Sequence, residues 1–190
     1  MALLILGIIL FLGAHSLKIV APARAALIGT LGDKAYRGLY SVVSLIGFAL
    51  IAWGFHDYRA GAWQQVWVPP VWTRHLTITL MWFAFVALAA SGPKPSRIRG
   101  WLRHPMVVAV KIWALAHLLA NGDLGGIILF GSFLAWAVVD RISLKRRGDF
   151  GAARISHFTR TDAVIVIAGT VAYLAMMVLH PYLIGVAVIG

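Results

Sequence analysis

The 190-residue sequence has no cysteine, and its six acidic residues are all aspartate. Without thiols there is no disulfide, no thiolate-bound metal, no iron–sulfur cluster and no covalently attached haem. Without glutamate, and with no HExxH, GxSxG or P-loop string, zinc-dependent proteolysis, serine hydrolysis and phosphoryl transfer lack their working groups. Charge is scarce as well: 12% of the residues are charged, where a soluble domain carries about a quarter. In its place 61% of the chain is hydrophobic, with a mean hydropathy of +0.87. Lipid is therefore the solvent this chain is built for, and the fold class is an all-α integral membrane bundle. The 17 Lys and Arg give a net charge of +11, which in a soluble protein would point to nucleic acid. Here the cations follow the loops, and no nucleic-acid partner is implied.

Apolar runs at Ala2–Val20, Leu39–Phe55, Thr73–Ser91, Met106–Ala120, Leu124–Val139 and Ala163–Leu179 each approach the roughly 20 residues that cross a bilayer as a helix. They predict six transmembrane helices in a single domain, 1–190. The fourth and fifth are the shortest, and the tight Asn121-Gly122-Asp123 turn that joins them predicts an antiparallel hairpin. Pro181 is expected to end or kink the sixth. The first connection holds Lys18, Arg24, Lys34 and Arg37, the third Lys94, Arg97, Arg99 and Arg103, and the fifth Arg141, Lys145, Arg146, Arg147, Arg154 and Arg160. The second has Arg59, with Arg74 at its edge, and the fourth has none. Positive charge is retained on the cytoplasmic side. Both termini are therefore expected outside, in the periplasm if the membrane is a bacterial inner membrane. The second connection, Asp57 to Trp72, carries Tyr58, Trp63, Trp67 and Trp72 and reads as an aromatic belt at the outer headgroup level. Ala21-Pro22-Ala23 resembles a signal-peptidase site, but basic residues follow the first apolar run instead of preceding it, which favours a retained helix.

Ionisable side chains inside apolar spans are costly, so each marks a candidate functional position. His15 lies in the first span, His56 ends the second, and Lys111 and His117 lie in the fourth, which His104 begins within Arg103-His104-Pro105. On a helix His104 and Lys111 share a face, while His117 points the other way and lies about 20 Å further along. Lys111 with Arg103 offers two cations to a carboxylate, phosphate or propionate; snorkelling of Lys111 to headgroups is the plainer reading. Gly13, Ala14 and Ser16 around His15 would let another helix or a flat macrocycle come close. Imidazoles from separate helices are a means of holding a non-covalent b-type haem in a bundle. Helical rise places His15 about 9 Å and His117 about 18 Å from the cytoplasmic surface, an offset that a tilted macrocycle would absorb. His15 with His104, and His56 with His117, are the other pairings. The competing reading makes the histidines interhelical hydrogen bonds.

Gly13-Ala14-His15-Ser16, Arg103-His104-Pro105 and the string from Trp113 through His117 to Asn121-Gly122-Asp123 together resemble the NnrU family of membrane proteins. The resemblance covers nearly the whole chain, and the last string is its most specific part. It implies an association with nitrite and nitric oxide respiration. Through the plant 15-cis-zeta-carotene isomerases of the same family it also implies a b-type haem and isomerisation of a lipid-soluble polyene. The plant ligand positions fall on His15 and His117, and His104 and His56 match further histidines. The cysteine near the distal ligand of the plant enzyme has no counterpart, so ligand exchange through it is not implied. Arg103-His104-Pro105 with a Gly/Asn-rich helix end also resembles membrane methyltransferases that use S-adenosylmethionine, though their acidic C-terminal pattern is met here only by Asp140 and Arg141.

The expectation is thus a haem b protein of the membrane with iron ligands His15 and His117. Lys111, Arg103 and His104 would form a basic inner site, and His56 an outer alternative. Nitric oxide, a polyene, a second copy or a respiratory enzyme would be its partners. A non-enzymatic assembly partner of a respiratory reductase is the alternative.

Overall fold

The computed structural model describes residues 1–188. Its helices are α1 (Ala2–Ser16), α2 (Ala21–Leu31), α3 (Asp33–Gly61), α4 (Val71–Ala89), α5 (Arg97–Leu102), α6 (Pro105–Ala120), α7 (Leu124–Arg146) and α8 (Arg160–Ile184). Among the described residues there is no strand, only an isolated bridge between Gln65 and Asp123. Four helices, α3, α4, α7 and α8, are long and apolar enough to cross a membrane, and α1 with α2 passes the same test as a bent pair. α6 is apolar but only 16 residues long. The protein is a helical, membrane-embedded one, as its composition requires.

The first span departs from the straight helix that Ala2–Val20 predicts. α1 stops at Ser16, and α2 leaves it at 87°. Pro22 opens α2, where its fixed φ and missing N–H suit a first turn, and Lys18 in the intervening turn reaches a buried partner, Asp140. α7 runs to Arg146, so it is not among the short spans. α8 continues through Pro181 and is capped at Gly185, whose left-handed φ of 79° suits glycine. Proline therefore does not end that helix.

The chain divides into two compact units, Met1–Val68 with Asn121–Leu144, and Pro69–Ala120 with Lys145–Gly190. In the first, α1 and α3 touch backbone to backbone. A Cβ on Gly7 would lie 2.6 Å from Ile51 N, one on Gly47 2.7 Å from Phe11 N, and one on Gly54 would collide with Leu4 N. Small residues at such crossings replace the hydrophobic drive that lipid removes. α7 joins this pair through Phe11 against Phe133 and through Gly125, which lies flat on the ring of the fully buried Tyr58. The Tyr58 hydroxyl donates to Gln64 O and accepts from Gln64 N. The loop it holds pairs with the Asn121–Asp123 turn through Val66 N to Gly122 O at 2.8 Å and Leu124 N to Gln64 O at 2.9 Å. A side chain at Gly122 would strike Trp67 O.

In the second unit α4 is the shared wall. Thr77 donates to Ala116 O of α6 at 2.8 Å, and Trp82 Nε1 donates to Thr170 of α8 at 3.0 Å. Gly169 lets α8 sit on the α4 backbone at Val86. α8 begins with a capping box, Thr159 with Asp162.

Candidate functional site

His15 closes α1. Its Nδ1 lies 2.7 Å from Phe11 O, and because a carbonyl only accepts, Nδ1 carries the proton and Nε2 the lone pair of the neutral ring. The ring stacks on Phe11 at 4.2 Å and is bordered by Tyr40 at 5.3 Å and the edge of Trp136 at 6.0 Å. It stands in an aromatic surround built from α1, α3 and α7.

His117 stands three residues from the end of α6 and repeats the pattern. Nδ1 donates to Trp113 O at 2.8 Å, and Trp113 flanks the ring at 5.4 Å. Helical geometry makes both bonds, since the carbonyl of residue i−4 is the acceptor nearest a ring nitrogen. Nε2 is again the basic nitrogen. An imidazole whose other nitrogen is held by a carbonyl is the usual state of a metal-bound histidine. Among the described residues no three His, Cys, Asp or Glu gather as they would around a bare ion.

Arg103 and His104 form the corner between α5 and α6. Arg103 has φ 64°, the one positive value among the described non-glycine residues. The conformation is held from both sides: Arg103 O accepts from Ala152 N at 2.9 Å, and Arg103 Nη1 donates to Ala152 O at 3.0 Å. His104 Nε2 lies 3.1 Å from Asp149 O and 3.7 Å from the Asp149 carboxylate. Gly151 has φ 72° and no room for a Cβ beside Arg103 O. The structure thus ties both basic side chains to the loop at 149–152. Lys111, two turns further along α6 on the His104 face, has no ion pair or hydrogen bond among the described residues. His56 is exposed near the end of α3.

The sequence brought up Asp140 only beside Arg141 in the methyltransferase-like pattern and did not reveal its buried ion pair. Asp140 is fully buried, and Lys18 Nζ lies 2.8 Å from its Oδ2. The same ammonium lies 4.7 Å from the ring of Trp136, which edges His15. A lone acid at the end of an apolar run was the signal. Asp162, also buried, accepts from Thr159 N and Oγ1 at 2.8 Å, Ile98 N at 2.8 Å and Arg97 N at 3.2 Å. Its signal was the Thr-x-x-Asp spacing of a capping box.

Neither a curated protein nor a solved structure matches this chain. One family does, described as NnrU protein, over residues 3–188. That span takes in α1 with His15, the Arg103-His104-Pro105 corner, α6 with His117 and the Asn121–Asp123 turn, and on it the chain belongs to the NnrU family.

Proposed function

We propose that the protein is an integral membrane haem b protein with His15 and His117 as its iron ligands. One observation carries the reading. The two histidines singled out inside apolar helices both commit Nδ1 to the carbonyl four residues back, which puts the lone pair of each neutral ring on Nε2, the nitrogen that ligates iron. Phe11, Tyr40 and Trp136 around His15 and Trp113 beside His117 supply apolar walls that exclude water. When bound, the haem would supply a redox-active iron able to bind nitric oxide, pass an electron or isomerise a double bond in a polyene. Phe11 O and Trp113 O hold the imidazole protons, orienting each ring and raising its basicity. Lys111, without an ion pair or hydrogen bond among the described residues, would be the residue to receive a propionate or another anionic group. Arg103 would add positive charge, and His104 a hydrogen-bonding imidazole, from the corner they already brace.

The test is the visible spectrum of the detergent-purified protein, oxidised and reduced, with the haem typed in pyridine. A Soret band with sharp reduced bands of low-spin iron is expected. It should be lost or converted to high spin in His15→Ala and in His117→Ala, and kept in His104→Ala. A protein that stays colourless when supplied with haem overturns the reading and leaves a partner role in respiratory enzyme assembly.

Six spans with both termini outside the cytoplasm form part of the same proposal, α1 and α6 serving as the two short ones. The distribution of Lys and Arg supports this. The absence of native cysteine gives the measurement a clean background: a cysteine placed at Ala2 or Gly61 should react with an impermeant maleimide from outside, and one at Lys94 or Gly148 should not. The reverse labelling would invert the topology.

A further inference from the structure

The first unit contains an open apolar cleft of about 320 Å³ framed by α1, α2 and α3. Leu10 and Gly13 line it from α1, Leu27 and Leu31 from α2, and Tyr36 and Val43 from α3. Gly13 distinguishes this cleft from a packing defect. Gly7, on the same helix, is pressed against the α3 backbone and can be nothing larger. A Cβ on Gly13 would meet nothing within 4 Å. Glycine inside a helix costs about 1 kcal/mol relative to alanine, and helix packing in this chain does not ask for it at position 13. What the missing side chain does is widen the cleft.

The edge of the cleft carries a cation. Arg24, exposed in the first turn of α2, holds its guanidinium 5.6 Å from the ring of Tyr36, within the range of a cation–π contact. Arg37, next to Tyr36 in sequence, is paired with Asp33 at 2.8 Å; Arg24 has no acidic partner among the described residues. Because α2 stands 87° from α1, a membrane-normal α1 puts α2 in the plane of the bilayer surface, where phosphates lie.

We infer that this cleft binds an anionic phospholipid, one acyl chain lying against Gly13 and the leucines of α2 and the phosphate meeting Arg24. An amphiphile with a negative head is the occupant that both halves fit: the lining offers an apolar chain nothing polar beyond two tyrosines, and the rim offers the Arg24 guanidinium, with no acidic partner among the described residues. No histidine lines the cleft, so the inference does not depend on haem.

Native mass spectrometry of the purified protein in an uncharged detergent tests it, using phosphatidylglycerol and phosphatidylcholine with identical chains. The wild type should retain the anionic lipid in preference. Arg24→Gln should lower that retention about tenfold, to the level of the zwitterionic lipid, and Arg24→Lys should keep most of it. Gly13→Leu, whose Cβ meets nothing within 4 Å, places a side chain in the cleft and should lower retention of both lipids. Equal retention of the two lipids by the wild type overturns the inference, as does indifference of the anionic lipid to Arg24→Gln or wild-type retention in Gly13→Leu. Arg24 is exposed, so its arm reads out binding even if the helix variant folds poorly.

Discussion

Each unit buries a carboxylate near its basic end, and the two are neutralised in opposite ways. Asp140, in the first, is matched by the ammonium of Lys18, 2.8 Å from Oδ2, with no backbone N–H donating to either oxygen among the described residues. Asp162, in the second, takes four donors, three of them backbone N–H. A charge held by the backbone needs no particular partner residue, whereas a charge held by one lysine fails with that lysine. Asp162 is thus scaffold, tying the start of α8 to the start of α5. The Lys18–Asp140 pair is a dependency beside the aromatic surround of His15.

Removing Lys18 is the largest way to break this contrast. Lys18→Ala strands a buried charge and should cost about 3 kcal/mol in equilibrium unfolding from mixed micelles, the low end of the usual range because Lys18 is nearly half exposed. Adding Asp140→Asn should recover most of the loss. Asp162→Ala should cost about 2 kcal/mol through orphaned backbone donors, with no recovery when Arg97 or Arg160 is neutralised. Full stability of the lysine variant would remove the dependency, and rescue of Asp162→Ala by Arg97→Gln would turn the second carboxylate into an ion pair too.

Two glycines of α7 sharpen the comparison at smaller scale. Gly125→Ala drives a methyl into the pinned Tyr58 ring and should destabilise by about 1–2 kcal/mol. Gly131→Ala, with open space around it, should be neutral or gain no more than about 0.5 kcal/mol. Equal effects in the same unfolding assay would mean that α7 does not rest on Tyr58 as described.

Helix existence was legible where apolar runs are long, because no soluble structure tolerates them. The bend after α1 was not, since nothing local to Lys18 announces a partner at position 140. α2 was hidden for another reason: with Arg24 and small residues it has no buried face and reads as a connection. The end of α7 was hidden by its own arginines and lysines, and Pro181 was misleading because a proline within a span does not have to stop it. At the site, His15 and His117 stood out as ionisable groups in apolar runs, and the i−4 carbonyl bonds follow from helix geometry alone. Asp140 did not stand out, because its burial depends on α1 and α7 coming together. The Asn121-Gly122-Asp123 string was readable as a turn, but the reason for its glycine lies in Trp67 O, distant in sequence.

The division of the first unit into Met1–Val68 and Asn121–Leu144 sets an order of events during synthesis. α1 and α3 emerge together and can zip through their glycines at once. Gly125, which seats Tyr58, and Asp140, which receives Lys18, arrive only after the roughly 50 residues of Pro69–Ala120, a delay of about 3 to 10 s at ordinary elongation rates of about 5–20 residues per second. Throughout that interval Lys18 and the Tyr58 loop are in place without the elements they hold, so the first unit can close only once α7 has been made.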